Sequence, residues 1–475
     1  MSEPAANVRN PAIDAAKAAA VLIGVFYHAI WFADLSAGTV GPGNGGVSGR
    51  IEDAVRAVVV PLFFALAGYT SAGMLARHGL GRYLARRWLR IGLPLALAMV
   101  TVVPLYHRSI GYTRPAPPEI PPGAQPTRHH GPMPLGPGFR LRPMAGPPAG
   151  SRDRVGPPAP ADGAARARAG GPRILPTGPP DAPGPGFGRG PEVPAYRLDF
   201  AWFLWYLLAF ATIAPALVVA ARWLLVKPWP RLARGLEQRA IDRDLAPLAL
   251  GLLTAPALLL APGPWGWALG EPLGASAAFP KVLIAPPADM PFYLAYFLAG
   301  WWLFRNRIGL PEFGRNCYAN LLIGLLAHGA ASFLSEEYAW RRGVPHHDLV
   351  RYAGFALYAI GSAYGMAGLL GCFLASADRP NRAVRYLAGR SSWIYLVHPP
   401  MIWPLIGLLK PLHLPWGAQG LATTAIAAAG SLALYEILAA RTPLARLFGP
   451  STPREADLPD PGAGPCPAGV RAAGT

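Results

Sequence analysis

Runs of about twenty mostly apolar residues recur along this chain, and that recurrence constrains its fold more than any other feature. Twenty residues of helix rise roughly 30 Å, the thickness of a bilayer's hydrocarbon core. Ten such runs are readable, at roughly 12–33, 54–75, 88–107, 199–221, 245–262, 288–304, 318–335, 352–376, 392–409 and 418–440. A segment in hydrocarbon must satisfy its own backbone hydrogen bonds, so each run is expected to be a helix. The expected fold class is an all-α polytopic membrane protein, a bundle of about ten transmembrane helices. The first run continues through His28-Ala29-Ile30-Trp31-Phe32 without a small-residue cleavage site. It reads as a retained anchor helix rather than a removed signal peptide.

The charge distribution agrees with a membrane location. The chain is 52% hydrophobic, 14% charged and carries a net charge of +18. Such a charge invites nucleic acid only where cations gather into one patch. Here they concentrate between apolar runs, at Arg77, Arg82, Arg86 and Arg87, at Arg222, Lys227 and Arg231, at Arg305, Arg307 and Arg315, and at Arg379, Arg382, Arg385 and Arg390. With the N-terminus in the cytoplasm all of these loops fall inside, as the positive-inside rule requires. The expected partner is the lipid bilayer, with no nucleic acid. Cys317, Cys372 and Cys466 have no CxxC spacing, so neither a metal site nor a disulfide framework is expected.

Residues 111–196 differ in kind. They are dominated by proline, glycine and scattered arginine, as in Pro115-Ala116-Pro117-Pro118 and Pro183-Gly184-Pro185-Gly186. Such a stretch buries too little apolar surface to offset its ordering entropy, so an external disordered insertion is expected. The domain organisation follows: transmembrane helices 1–3 in 1–110, the insertion 111–196, helices 4–10 in 197–448, and a disordered cytoplasmic tail in 449–475.

Three polar constellations interrupt the apolar pattern. On the first run, Lys17 and His28 are eleven residues apart, about 20° past three full helical turns, so they share one face roughly 16 Å apart. Asp14 and Gly24 fall near the same stripe. Ionisable groups inside a bilayer usually face a protein-lined cavity and mark a functional path, although Asp14 and Lys17 also suit a simple interfacial ion pair. The second constellation is Arg82, Arg86, Arg87 and Arg90, spaced so that one helix end presents a guanidinium cluster. That end suits a phosphorylated donor such as coenzyme A, or lipid phosphates. The third is Ser391, Ser392, Tyr395 and His398, with hydroxyl, phenol and imidazole at i, i+4 and i+7. Ser391 or Ser392 is a candidate N-cap, and Pro399-Pro400 is expected to break or kink the span. A purely structural polar network is the rival reading.

Weaker signals remain. Trp202, Trp205 and Tyr206 have the composition of a sugar-stacking platform, although an interfacial aromatic belt is the commoner use of such residues. His346-His347-Asp348 with Glu336 and Glu337 match no zinc spacing. His328 and Glu436 stand alone among apolar residues.

Taken together, Ile13-Asp14 through Lys17 to Phe26-Tyr27-His28, Phe63-Phe64-Ala65-Leu66-Ala67-Gly68, Arg87-Trp88-Leu89-Arg90-Ile91 to Pro94, Phe203-Leu204-Trp205-Tyr206-Leu207 and the Ser392 to His398 segment resemble the membrane-bound acyltransferase-3 family, nearest its glucan biosynthesis protein C branch. The resemblance matches Lys17 and His28 to that family's basic residue and histidine, and Arg87 and Arg90 to its R-x-x-R motif. It implies a bacterial inner-membrane protein with both termini cytoplasmic and no tightly bound cofactor. It also implies transfer of an acyl group, succinyl or acetyl, from cytoplasmic acyl-CoA to a hydroxyl of an extracytoplasmic glycan. The sequence departs from the pattern at Lys17, where arginine is common, at Phe203, where the glucan branch often has histidine, and in the long insertion.

The resulting expectation gives His28 the role of general base, or of a transiently acylated nucleophile, with Lys17 holding donor or oxyanion charge and Asp14 orienting it. Arg87, Arg90, Arg86 and Arg82 hold coenzyme A. Trp205, Tyr206, Ser391, Ser392, Tyr395 and His398 line the substrate path. A transporter or flippase without covalent chemistry is the alternative, since polar faces and proline-rich spans also suit translocation. No clear inverted repeat supports it. A scaffold acting through its insertion is a third class.

Overall fold

In a computed structural model, the structure describes residues 10–37, 47–110, 199–229, 245–259, 290–306, 314–340, 347–377 and 379–448, together with 231, 235, 238 and 239. The chain divides into two units, Met1–Arg114 with Val193–Thr475, and Pro115–Glu192. Every described residue belongs to the first, so the expected insertion and tail lie outside the described residues. Among the described residues all regular structure is helical.

The first helix, α1 (Pro11–Ala37), starts where its sequence dictates. Asn10 Oδ1 accepts from the Ala12 N–H at 2.9 Å, Pro11 occupies the first turn, and Asp14 lies close behind. That is an N-cap, a proline where no N–H is needed, and an acid against the positive end of the helix.

The second helix, α2 (Val47–Arg87), is not one straight rod. Gly79 has φ 72° and ψ 169°, backbone that only glycine adopts without strain, and the chain turns there. The helical path then resumes through a π turn, Trp88–Gly92, into α3 (Leu93–Val100) and α4 (Val102–Ile110).

The remaining helices are α5 (Trp202–Ala221), α6 (Ala246–Leu259), α7 (Met290–Arg305), α8 (Cys317–Trp340), α9 (His347–Ser376), α10 (Arg382–Leu409) and α11 (Trp416–Leu434).

Seven stretches among the described residues are long and apolar enough to cross a membrane. This is a multi-pass membrane protein. The expected second span and the greater part of the third, 88–107, fall within one such stretch, Asp53–Val100, divided at Gly79. Those expected at 245–262 and 288–304 coincide with the shorter helices α6, of 14 residues, and α7, of 16.

Glycines set the closest contacts. A Cβ on Gly68 of α2 would lie 1.8 Å from the Phe297 carbonyl oxygen of α7, and one on Gly300 of α7 would lie 1.8 Å from the Ala65 oxygen of α2. The two backbones therefore touch reciprocally, the small-residue packing that joins helices where lipid supplies no hydrophobic drive. Gly324 of α8 and Gly361 and Gly368 of α9 do the same for that pair, Gly365 of α9 admits Val58 of α2, and Gly420 of α11 admits Ile30 and Phe26 of α1.

Two expectations for α10 are corrected. Its N-cap is Asn381, whose side chain accepts from the Ala383 and Val384 N–H groups, rather than Ser391 or Ser392. The helix also continues through Pro399, Pro400 and Pro404 instead of breaking. Pro399 and Pro400 withhold the donors that the Tyr395 and Leu396 carbonyls would otherwise receive. The His398 ring turns back onto the same stretch of backbone, with Nδ1 2.9 Å from the Ile394 carbonyl oxygen, one residue before the two carbonyls that the prolines leave without donors.

Candidate active site

The polar face of α1 meets different partners at its two ends. His28 meets His398 of α10, 370 residues away in the chain. His28 Nδ1 and His398 Nε2 are 2.7 Å apart, and the rings stack with centroids 5.0 Å apart and 23° between planes. His398 Nδ1 lies 2.9 Å from the Ile394 carbonyl oxygen, which can only accept. With both rings neutral, that carbonyl fixes every proton. His398 Nδ1–H donates to Ile394, leaving His398 Nε2 as an acceptor. His28 Nδ1–H donates to it, which leaves the lone pair of His28 on Nε2. A base whose other nitrogen is held by an oriented partner is the arrangement that general-base catalysis requires.

Aromatic rings enclose this pair on one side and flank it on the other. Phe32 stacks on His28 at 5.6 Å and on Trp403 at 4.8 Å. His398 is buried, whereas His28 is only partly so. Tyr27 and Trp31 stack on each other at 6.0 Å and 18°, and their centroids lie 5.1 and 6.3 Å from His28. Both remain partly exposed, so they offer a flat face beside the imidazole.

Register places the other end. The nine residues between α1 and α2 span at most about 32 Å, too little to run back along a helix of 27 residues, about 40 Å long, so the two helices are antiparallel. A Cβ on Gly24 would meet the Phe63 ring at 3.6 Å, which puts Gly24 level with Phe63. Lys17 is then level with residues 70–71. At that level Arg87, returned by the turn at Gly79, donates from Nη2 to Ser71 Oγ at 2.8 Å and lies 5.7 Å from the Tyr83 ring centre. The cationic end therefore combines Lys17 with an arginine held inward by a buried serine. It lies roughly 16 Å along the axis from the imidazole pair.

The arginine cluster is divided by this geometry. Arg87 turns inward and its Nε is buried without a hydrogen-bond partner among the described residues. Arg90 sits half-buried in the π turn, a local widening often found at functional sites. Arg82 and Arg86 are exposed, and Arg86 donates to His78 Nε2 at 2.6 Å. Asp14 is buried in the first turn of α1.

Other candidates are placed as follows. Tyr395 donates its hydroxyl to the Phe200 carbonyl, and its ring lies 6.1 Å from His398 and 5.2 Å from Phe203. Ser391 donates to Ala388 of its own helix at 3.0 Å, and Ser392 is exposed. Tyr206 is completely buried among Phe64, Phe210 and Tyr293, and Trp205 beside it is partly buried. Glu436 accepts from the Tyr386 hydroxyl at 2.5 Å and pairs with Arg390 at 3.7 Å, away from the imidazoles. His328 is buried 5.6 Å from Tyr358 with neither ring nitrogen hydrogen-bonded among the described residues. His346 and the side chains of Glu336, Glu337, His347 and Asp348 lie outside the described residues. Among the described residues no group of three histidine, cysteine or acidic side chains could hold a metal.

Sequence reasoning did not single out the Tyr27–Trp31 stack or Arg56, a buried arginine of α2. The signal for Arg56 was present, as a lone cation at the edge of an apolar run. The comparisons with known proteins come to one positive finding: the acyltransferase domain family, acyltransferase 3, matches residues 10–436, nearly the whole chain. Comparison with curated proteins and with solved structures gives no match.

Proposed function

The chain belongs to the acyltransferase-3 family and is a membrane acyltransferase, and from that premise we propose that it moves an acyl group from cytoplasmic acyl-CoA to a hydroxyl of an extracytoplasmic glycan. The observation that carries this reading is the His28–His398 pair, at one end of a polar face whose other end holds Lys17 and the Ser71-anchored Arg87.

The chemistry follows from those positions. Coenzyme A phosphates bind Arg87 and Arg90, with Lys17 adding charge where the donor enters. The pantetheine arm runs along the face of α1 toward His28. The acceptor sugar rests against Tyr27 and Trp31. His28 Nε2 takes the proton from the acceptor hydroxyl as its oxygen attacks the thioester carbonyl. The carbon–oxygen bond forms, the carbon–sulfur bond breaks, and His28 returns the proton to the leaving thiolate, giving an ester and free coenzyme A. His398 acts through His28, accepting from Nδ1–H throughout and stabilising the imidazolium. Positioned bases of this kind contribute roughly 10²–10⁴-fold in rate.

The glucan branch, the inner membrane and the cytoplasmic placement of both termini belong to the same proposal. Membranes containing the protein, incubated with radiolabelled acyl-CoA, are expected to pass label to envelope glycan in a thioester-dependent manner. Transport of an unmodified solute with no label in glycan would overturn the reading.

A further inference from the structure

The α8–α9 pair carries two reactive groups that acyl transfer does not use. These helices touch backbone to backbone at three rungs. A Cβ on Gly361 would lie 2.9 Å from the His328 backbone nitrogen, one on Gly324 2.5 Å from that of Gly365, and one on Gly368 2.5 Å from that of Leu321. From His328 toward the start of α8 the contacts step back by four and then three residues, while on α9 they advance by four and then three. The helices are therefore antiparallel and meet along one seam, with the alternating spacing of a packed helical face.

The next step of four lands on a cysteine on both sides, Cys317 of α8 and Cys372 of α9. Close approach persists there. A Cβ on Gly368 would also lie 2.9 Å from the Cys317 carbonyl oxygen, and one on Gly314, just beyond the pair, 3.1 Å from the Gly371 oxygen. The two thiols meet within hydrogen-bonding range of each other. Both are free, Cys317 buried and Cys372 partly exposed. Spacing along the chain gives no sign of this pair, which only the helix contact brings together.

Helices packed through ordinary side chains hold their axes roughly 8–10 Å apart. A disulfide needs α-carbons only about 4.4–6.8 Å apart, so facing cysteines on such helices are hard to bridge. A glycine seam removes that obstacle. Packing alone does not ask for sulfur opposite sulfur, since other small residues fill such a rung.

We infer that Cys317 and Cys372 form a reversible redox site, closed to an interhelical disulfide by a peroxide and reopened by a thiol reductant. Cys372, the more exposed sulfur, attacks the peroxide oxygen first. The O–O bond breaks, leaving a sulfenic acid and one water. The Cys317 sulfur then attacks the Cys372 sulfur. The S–S bond forms, the S–O bond breaks, and the departing hydroxide takes the Cys317 proton as a second water. The two sulfurs together lose two electrons, and hydrogen peroxide is reduced to water. The bridge ties the start of α8 to the end of α9, whose other ends are already joined through residues 341–346. It closes a long loop and so stabilises the folded chain. None of this depends on the acyl-transfer reading.

The test treats the full chain in detergent with hydrogen peroxide, caps remaining thiols with N-ethylmaleimide and digests without reduction. Mass spectrometry is expected to find the Cys317 and Cys372 peptides joined, lighter by two hydrogen atoms than the separate thiols, and parted by dithiothreitol. The oxidised protein is expected to unfold several degrees above the reduced protein. Cys317→Ser and Cys372→Ser are each expected to show no bridge and no oxidant-dependent rise. Cys466→Ser, which removes the third cysteine of the chain, is expected to bridge as wild type does. Three results would overturn the inference: both thiols still capped after peroxide, Cys372 carried on to sulfinic acid with Cys317 unjoined, or a bridge to Cys466 in place of Cys317. A Cys317–Cys372 bridge that leaves the unfolding temperature unchanged would overturn its stabilising role.

Discussion

The two ends of the α1 polar face are built on opposite principles. At the His28 end one carbonyl assigns every imidazole proton, and Phe32 and Trp403 stack behind the rings. At the Lys17 end the cations are redundant and half-open: one arginine is anchored inward by Ser71, another sits in a π turn, and two more face outward. Bond-making needs a base fixed to within a fraction of an ångström, whereas a polyphosphate is held by several charges whose individual positions matter less. The contrast teaches that rigidity in this bundle is concentrated where a proton moves and relaxed where charge is gathered.

Substitutions at the two ends should therefore fail differently. The largest effect is expected from His28→Ala, a loss of roughly 10²–10⁴-fold in kcat with normal membrane insertion and little change in donor KM. Full transfer by a well-folded His28→Ala protein would break the contrast at its more rigid end. Arg87→Ala should do the reverse, raising the KM for acyl-CoA by about 10–100-fold, the scale of a lost charge-assisted hydrogen bond, with kcat less affected. Ser71→Ala should move in the same direction by less.

His398→Leu tests whether the second imidazole is needed to aim the first. About tenfold loss in kcat is expected at unchanged donor KM, the cost of leaving one buried N–H unpaired. His398→Gln, which restores an acceptor, should recover most of it. Equal activity of both variants would mean that His28 needs no orienting partner. The smallest effect is expected from Asn381→Ala. It removes the α10 cap and costs about 1 kcal/mol of stability, read as a lower midpoint of thermal unfolding in detergent, with donor and acceptor KM unchanged.

Much of the cationic end was legible in sequence because it is local. Lys17 and His28 share a face through helical periodicity, and the arginines announce themselves by i, i+3 and i+4 spacing. The imidazole pair was not legible as a pair. Both histidines stood out, but no periodicity within α1 or α10 states that these helices touch. His398 was grouped instead with Ser391 and Tyr395, its neighbours in sequence, whose hydroxyls are taken by the backbone at Ala388 and Phe200. The run of prolines misled for a related reason. Pro399 and Pro400 remove hydrogen bonds, but the sequence does not reveal that the helix continues through them, with the His398 side chain turned back to the Ile394 carbonyl. Tyr206 looked like an open platform from its neighbours Trp202 and Trp205, yet it is sealed in the aromatic core. The partly exposed stack is formed instead by Tyr27 and Trp31, separated by one helical turn.

The reciprocal glycine contact between α2 and α7 also limits how this enzyme can move. With carbonyl oxygens occupying the space where side chains would start, the two helices cannot slide past each other without collision. They form a single strut. Entry of a thioester from one leaflet and a sugar from the other must then come from give elsewhere, either at the Gly79 elbow that swings Arg87 or along the seam between α1 and α10. A crosslink stapling α2 to α7 should leave turnover intact, and one stapling α1 to α10 should stall it.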